Sequence, residues 1–225
     1  MTKEQYNKLS SHLAEIASLI PIKWGRIQND DTDSEINMFN YPVFSELEEA
    51  VSLLQIETQD YFKKRWFLWK CSQCDEYLFY KHNEVKENPN PYDQEWDFEF
   101  FGLSELRFDL KGSVIPREIK KKMTGEYPNS QELIDFNYKQ QSRGVRNNIQ
   151  NRLFIIHKPL NWQNENKLRA NFIAKANIYS GYIEMLKGNS THKFFNYAGK
   201  KVDIIYLSEQ ADGSIVANYA SQELN

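Results

Sequence analysis

The feature that most constrains this chain is a pair of alternating segments, residues 96–101 and 106–114. In the first, Trp96, Phe98 and Phe100 interleave with Asp97 and Glu99. In the second, Leu106, Phe108, Leu110, Gly112 and Val114 interleave with Arg107, Asp109, Lys111 and Ser113. A period of two is the side-chain period of a β-strand, so each segment carries one apolar and one polar face. The short connection at residues 102–105 predicts a hairpin. Such a hairpin lays its apolar face on a core and gathers Asp97, Glu99, Arg107, Asp109 and Lys111 on the other face.

Around this hairpin the patterning is mixed. Leu9, Leu13, Ile16, Leu19 and Ile20 recur at helical spacing over residues 3–20, stopped by Pro21. Residues 27–43 are polar and acidic, which predicts a loop. Ser45 followed by Glu48 has the form of a capping box opening a long helical stretch. That stretch runs on, with a break allowed, through residues 61–80 to the stop at residues 88–91. Downstream the sequence predicts a helix over residues 130–142, a short strand over 153–156 and a helix over 164–187. Two strands, 202–207 and 214–219, flank the turn dipeptide Asp212-Gly213. The expected organisation is one α/β domain, with a helical and loop extension over residues 1–43 and a core over 45–219.

Composition narrows the classes of function. The 225 residues include 14 Phe, 13 Tyr and five Trp, enough for a sizeable core. The net charge of −3 argues against a surface coated in basic residues, so positive potential for a nucleic acid would have to lie in one cleft. No run of 18 apolar residues occurs, and the first residues are polar. A cytoplasmic protein without a membrane span is therefore expected. Cys71 and Cys74 are the whole thiol inventory. Without a second cysteine pair they read as two buried small residues on a helix rather than as a zinc or redox site. The four His are scattered, no Ser or Cys has a visible base partner, and no Gly-rich phosphate loop occurs.

Two readings of the charged hairpin face stand side by side. In the bland one, its residues form cross-strand ion pairs on a solvated surface. In the other, they are a site for phosphodiester cleavage. Mg²⁺ takes few carboxylates together with water and substrate oxygens, and a nearby cation then holds the phosphate or the attacking water. Asp97 and Asp109 on adjacent strands, with Lys111 two residues on, supply those groups.

Asp97, a turn, and then Asp109-x-Lys111 on an apolar strand resemble the PD-(D/E)xK nuclease superfamily, which includes many type II restriction endonucleases. The run Phe108-Asp109-Leu110-Lys111-Gly112-Ser113-Val114-Ile115-Pro116 is similar to the catalytic strand of several of its members. The residue before Asp97 departs from the pattern, being Trp96 rather than proline. The resemblance spans residues 70–116, or to about 158 if the following helix and strand are included. It implies a restriction-endonuclease-like mixed sheet flanked by helices, acting as a Mg²⁺-dependent endonuclease on DNA, with Mn²⁺ as a substitute. Asp97 and Asp109 would hold the metal, Glu76 on the preceding helix would complete its shell, and Lys111 would act on the water and the phosphate. Such enzymes often carry a Gln or Arg on the helix after the catalytic strand, which points to Gln141, Arg143 and Arg146. Arg117 and Lys120, in the basic run that follows the strand, would track the DNA backbone. A homodimer would suit cleavage of both strands of a duplex. The alternative is a member of the same fold that has lost catalysis and serves as a nucleic-acid-binding or protein-interaction module.

Overall fold

The computed structural model describes residues 1–26, 30–90, 93, 95–142, 150–189 and 191–225, without the side chains of residues 30, 31 and 140–142. In chain order the helices are α1 (Lys3–Ile16), α2 (Asp30–Asp33), α3 (Phe44–Val51), α4 (Ile56–Tyr80), α5 (Arg117–Lys120), α6 (Ser130–Ser142), α7 (Glu165–Arg169) and α8 (Phe172–Gly188). The strands are β1 (Val85–Glu87), β2 (Phe98–Phe100), β3 (Arg107–Val114), β4 (Arg152–Lys158), β5 (Phe195–Tyr197), β6 (Lys200–Glu209) and β7 (Ile215–Tyr219). Among the described residues no helix is long and apolar enough to cross a membrane.

The chain divides into two compact units, Met1–Cys74 with Asn161–Phe172, and Asp75–Leu160 with Ile173–Asn225. The helical part is thus larger than an extension ending at residue 43. α3, most of α4 and α7 cluster with it because their apolar faces are buried together, with Leu13, Leu47, Val51 and Trp66 all inaccessible. Thr2 and Gln5 form a capping box on α1. The expected box at Ser45 is not formed. α3 starts two residues earlier than that box requires, after Val43, so Ser45 already lies in its first turn, and no side chain caps it. Inside this unit Lys64 is buried, and its ammonium donates to Asn166 Oδ1 at 2.6 Å and meets Glu165 at 3.3 Å. Burial pulls its pKa down, and Glu165 opposes that pull. Cys71 and Cys74 are buried on α4, as expected, and form no disulfide.

The second unit is α/β. Its mixed seven-stranded sheet runs β1-β2-β3-β4-β6-β5, and β7 pairs the same edge of β6 beyond β5. β1, β2 and β3 are antiparallel neighbours, whereas β3, β4 and β6 are parallel, each reached through a helical connection. The turn from β2 towards β3 places Phe101 and Gly102 at positive φ (56° and 70°), with the Leu103 N–H donating to Phe100 O. The β5–β6 turn uses the same device at Ala198 and Gly199.

Both faces of the sheet are covered. On one, Phe98, Phe100 and Phe108 join an aromatic stack with Phe79 of α4 and Tyr179 and Tyr182 of α8. On the other, Phe154, Ile156, Ile204 and Tyr206 pack with Leu133, Ile134 and Tyr138 of α6 and with Ile119 of α5. Asp109 and Lys111 belong to this second face, since their Cα partners on β4 are Arg152 and Phe154. The charged row is therefore the margin of a second core rather than a solvated surface, and Asp109 is only 3% exposed.

Candidate functional site

The β2–β3 register pairs Phe98 with Phe108 and Glu99 with Arg107. Beyond Phe98 the register slips: the Asp97 N–H donates to Phe108 O at 2.8 Å, one residue off the ladder that pairs Phe98 with Phe108, while Asn88 N–H donates to Asp97 O at 2.9 Å. The Asp97 carboxyl still lies close enough to Asp109 for the two charges to act on each other. Asn88 also donates through its side chain to Trp96 O and to Asp93, so the approach to Asp97 is tied down from β1.

The two neighbouring cross-strand pairs differ in sign. Arg107 Nε meets Glu99 at 2.7 Å, and the guanidinium lies 4.6 Å from the centre of the Trp96 ring. That pair matches the bland expectation of cross-strand neutralisation. Asp97 beside Asp109 does not, because each like charge disfavours ionisation of the other. Asp97 Oδ2 accepts a hydrogen bond from Leu110 N–H at 2.6 Å. Even so, burial first and the Asp109 charge second push the Asp97 carboxyl up to about 6, against the opposing pull of Lys111 and the Leu110 N–H.

Asp109 is bracketed by cations. Lys111 Nζ donates to Oδ1. Arg152 Nε stands 3.3 Å from Oδ2. That separation makes an ion pair, but the angle is wrong for a hydrogen bond, and Oδ2 accepts none among the described residues. The Asp109 N–H donates to Asn151 O at 3.0 Å. Asn151 is a splint at this end of the sheet: its amide donates to Arg107 O at 2.9 Å and its Oδ1 accepts from Lys201 N–H at 2.9 Å.

The other expected residues are placed as follows. Glu76 is not brought to the carboxylate pair. It acts on Tyr80, beside Glu87, and it is not among the groups that shift Asp97. The physical reason lies in the facing of α4: the neighbouring Asp75 turns inward to an ion pair with Lys175 at 2.9 Å, which aims Glu76 elsewhere. Among the described residues no three His, Cys, Asp or Glu side chains gather as a metal site would require. Arg117 and Lys120 are exposed on α5, beyond the far end of β3 from Asp109. The five residue steps from Asp109 to Val114 alone span roughly 17 Å of strand. The side chain of Gln141, and Arg143 and Arg146 altogether, lie outside the described residues.

Two residues escaped the sequence reading. Arg152 stands just before the strand expected over 153–156 and drew no role there, yet it is buried in the first position of β4. Asn151 carried no visible signal. A third group, Ser221, His192 and Asp203, has the composition of a nucleophilic triad but not its geometry. The Ser221 hydroxyl is buried and donates to Asp203 at 2.5 Å, while His192 Nε2 approaches both of them, at 2.9 and 3.8 Å. With Tyr182 OH and two backbone N–H groups also on Asp203, this cluster fastens the C-terminal turn to β6. Comparison with protein-family models, with curated proteins and with solved structures finds no match.

Proposed function

We propose that this protein is a Mg²⁺-dependent phosphodiesterase acting on nucleic acid, of the kind the PD-(D/E)xK resemblance implies, with a restriction-endonuclease-like sheet. The observation that carries this reading is the like-charge pair Asp97–Asp109, of which Asp109 is buried, with Lys111 on Asp109. Two carboxylates, one with a buried oxygen that accepts no hydrogen bond among the described residues, suit an oxygen-seeking cation that completes its shell with water and substrate. Bound there, Mg²⁺ would offset the negative charge that develops on the phosphate. Asp97 and Asp109 would hold it, and Asp97 must lose its proton to do so. Lys111, whose side chain is 30% exposed, would move from Asp109 to a phosphate oxygen or to the attacking water.

The test is nicking of supercoiled plasmid and cleavage of single-stranded DNA and RNA with Mg²⁺ or Mn²⁺, comparing wild type with Asp109→Asn and Lys111→Met. Loss of cutting in both variants supports the reading. A wild-type protein that neither cuts any of these substrates nor binds a divalent ion by calorimetry sinks it. A second reading, a fold that binds nucleic acid or protein without cutting, draws on one observation: Lys111 and Arg152 both already pair with Asp109. Ion binding without cleavage of any substrate would favour it.

A further inference from the structure

Arg152 is the Cα partner of Asp109 across the parallel β3–β4 ladder. Its side chain is only 4% exposed, a rare place for a guanidinium unless an anion holds it there. Nε lies 3.3 Å from Asp109 Oδ2, and the guanidinium carbon lies 4.6 Å from the centre of the Tyr138 ring. Tyr138 is fixed in turn. Its hydroxyl donates to Gln150 O at 2.6 Å, and its ring stacks on Tyr197 at 4.2 Å with 9° between the planes. A chain of contacts, Tyr197–Tyr138–Arg152–Asp109, thus crosses from β5 through α6 to the two central strands.

The two cations on Asp109 are unlike. Lys111 is a flexible, part-exposed ammonium on Oδ1, free to follow a substrate. Arg152 is a planar, buried group held on its other side by an aromatic ring. We infer that Arg152 is the positioning residue of the site: it sets the rotamer of Asp109 and keeps a positive charge at Oδ2 when Lys111 leaves Oδ1. Without it, departure of Lys111 would expose Asp109 to Asp97 with no fixed counter-charge, and the carboxylate would turn away. The part played during turnover rests on the metal-dependent reading. The hold on Asp109 does not, because it exists in the metal-free protein.

The experiment separates these parts. The χ1 populations of Asp109 are measured by NMR couplings in the metal-free wild type, Arg152→Met, Arg152→Lys and Tyr138→Leu, with thermal unfolding as a check on folding. The wild type is expected to show one rotamer, Arg152→Met and Tyr138→Leu mixed rotamers, and Arg152→Lys partial recovery. Mn²⁺ affinity read by electron paramagnetic resonance should weaken roughly 10–100-fold in Arg152→Met and recover in part with lysine. A single, wild-type-like Asp109 rotamer in Arg152→Met overturns the inference. If that variant does not fold, the same result in Tyr138→Leu, which keeps the charge and removes the ring, overturns it. Mixed rotamers in a protein whose wild type binds no ion would uphold the positioning role and refute the metal-dependent one.

Discussion

Replacing Asp97 with Asn should make the metal-free protein more stable at neutral pH. The folded environment raises the Asp97 pKa from 3.8 to about 6, mainly by burial and then by the Asp109 charge. At about 1.4 kcal/mol per pKa unit, ionised Asp97 destabilises the fold by up to about 3 kcal/mol. The sign follows from proton binding. Because the folded state holds this proton more tightly, the penalty is absent below the unfolded pKa of 3.8, grows as pH rises, and is complete above about 6. Asn keeps an oxygen for the Leu110 N–H, which now donates to Asp97 at 2.6 Å, so the change removes charge and little else. Urea unfolding followed by far-UV circular dichroism should give Asp97→Asn a gain of about 1–3 kcal/mol at pH 7.5. The gain should shrink to about one third of that value at pH 4.5, where much of the wild-type penalty has gone. Adding Mg²⁺ at tenfold its dissociation constant should return about 1.4 kcal/mol to the wild type alone. An Asp97→Asn protein no more stable than wild type at pH 7.5, or a gain equal at both pH values, refutes the reasoning.

Other outcomes follow from the same contacts. Binding of Mn²⁺, followed by calorimetry across pH 4.5–8, should strengthen as pH rises through about 6, where Asp97 gives up its proton. Glu76→Gln should leave Mn²⁺ affinity within about twofold of wild type, since Glu76 stands apart from the carboxylate pair; a drop of tenfold or more (about 1.4 kcal/mol) would place it in the site after all. Asp203→Ala should lower unfolding stability by about 3 kcal/mol or more, because it orphans the Tyr182 and Ser221 hydroxyls and two backbone N–H groups. Urea titration of that variant checks the magnitude.

β2 and β3 were legible because they lie inside the alternating segments 96–101 and 106–114, although the strands themselves are shorter, Phe98–Phe100 and Arg107–Val114, and Leu106 belongs to the turn between them. β1 and β5 were not legible, as three residues carry too little period to be seen, and an Ala198-Gly199 turn lacks the Asn-Gly or Asp-Gly signature. The covering of the charged face was also hidden. A helix forms over residues 130–142 as its periodicity predicts, but which sheet face Leu133, Ile134 and Tyr138 would meet depends on crossovers that no local pattern encodes. The same ignorance hid Arg152: an arginine before an apolar run marks a strand end, and only the parallel β3–β4 register shows that it lies beside Asp109. Glu76 erred in the other direction, since helical spacing cannot say whether residue 75 or 76 turns inward. The buried Lys175–Asp75 pair settles that in favour of Asp75.

The hairpin itself is the strongest argument that Asp97 and Asp109 serve something other than the fold. One step along the ladder, the same two strands place Glu99 against Arg107 at 2.7 Å, the arrangement a hairpin under selection for stability alone would repeat. At Asp97 and Asp109 they do the reverse, with a carboxyl pushed up to about 6. A single change to Asn at either position would remove the repulsion and keep the local hydrogen bonding. A local conflict that a conservative substitution would relieve is the signature of a site whose energetics are completed by a partner. Lys111 and Arg152 offset the charge of Asp109 alone, and Asp97 is left with the Leu110 N–H and the more distant pull of Lys111. The divalent cation proposed above, held by Asp97 and Asp109, would supply positive charge to Asp97 as well.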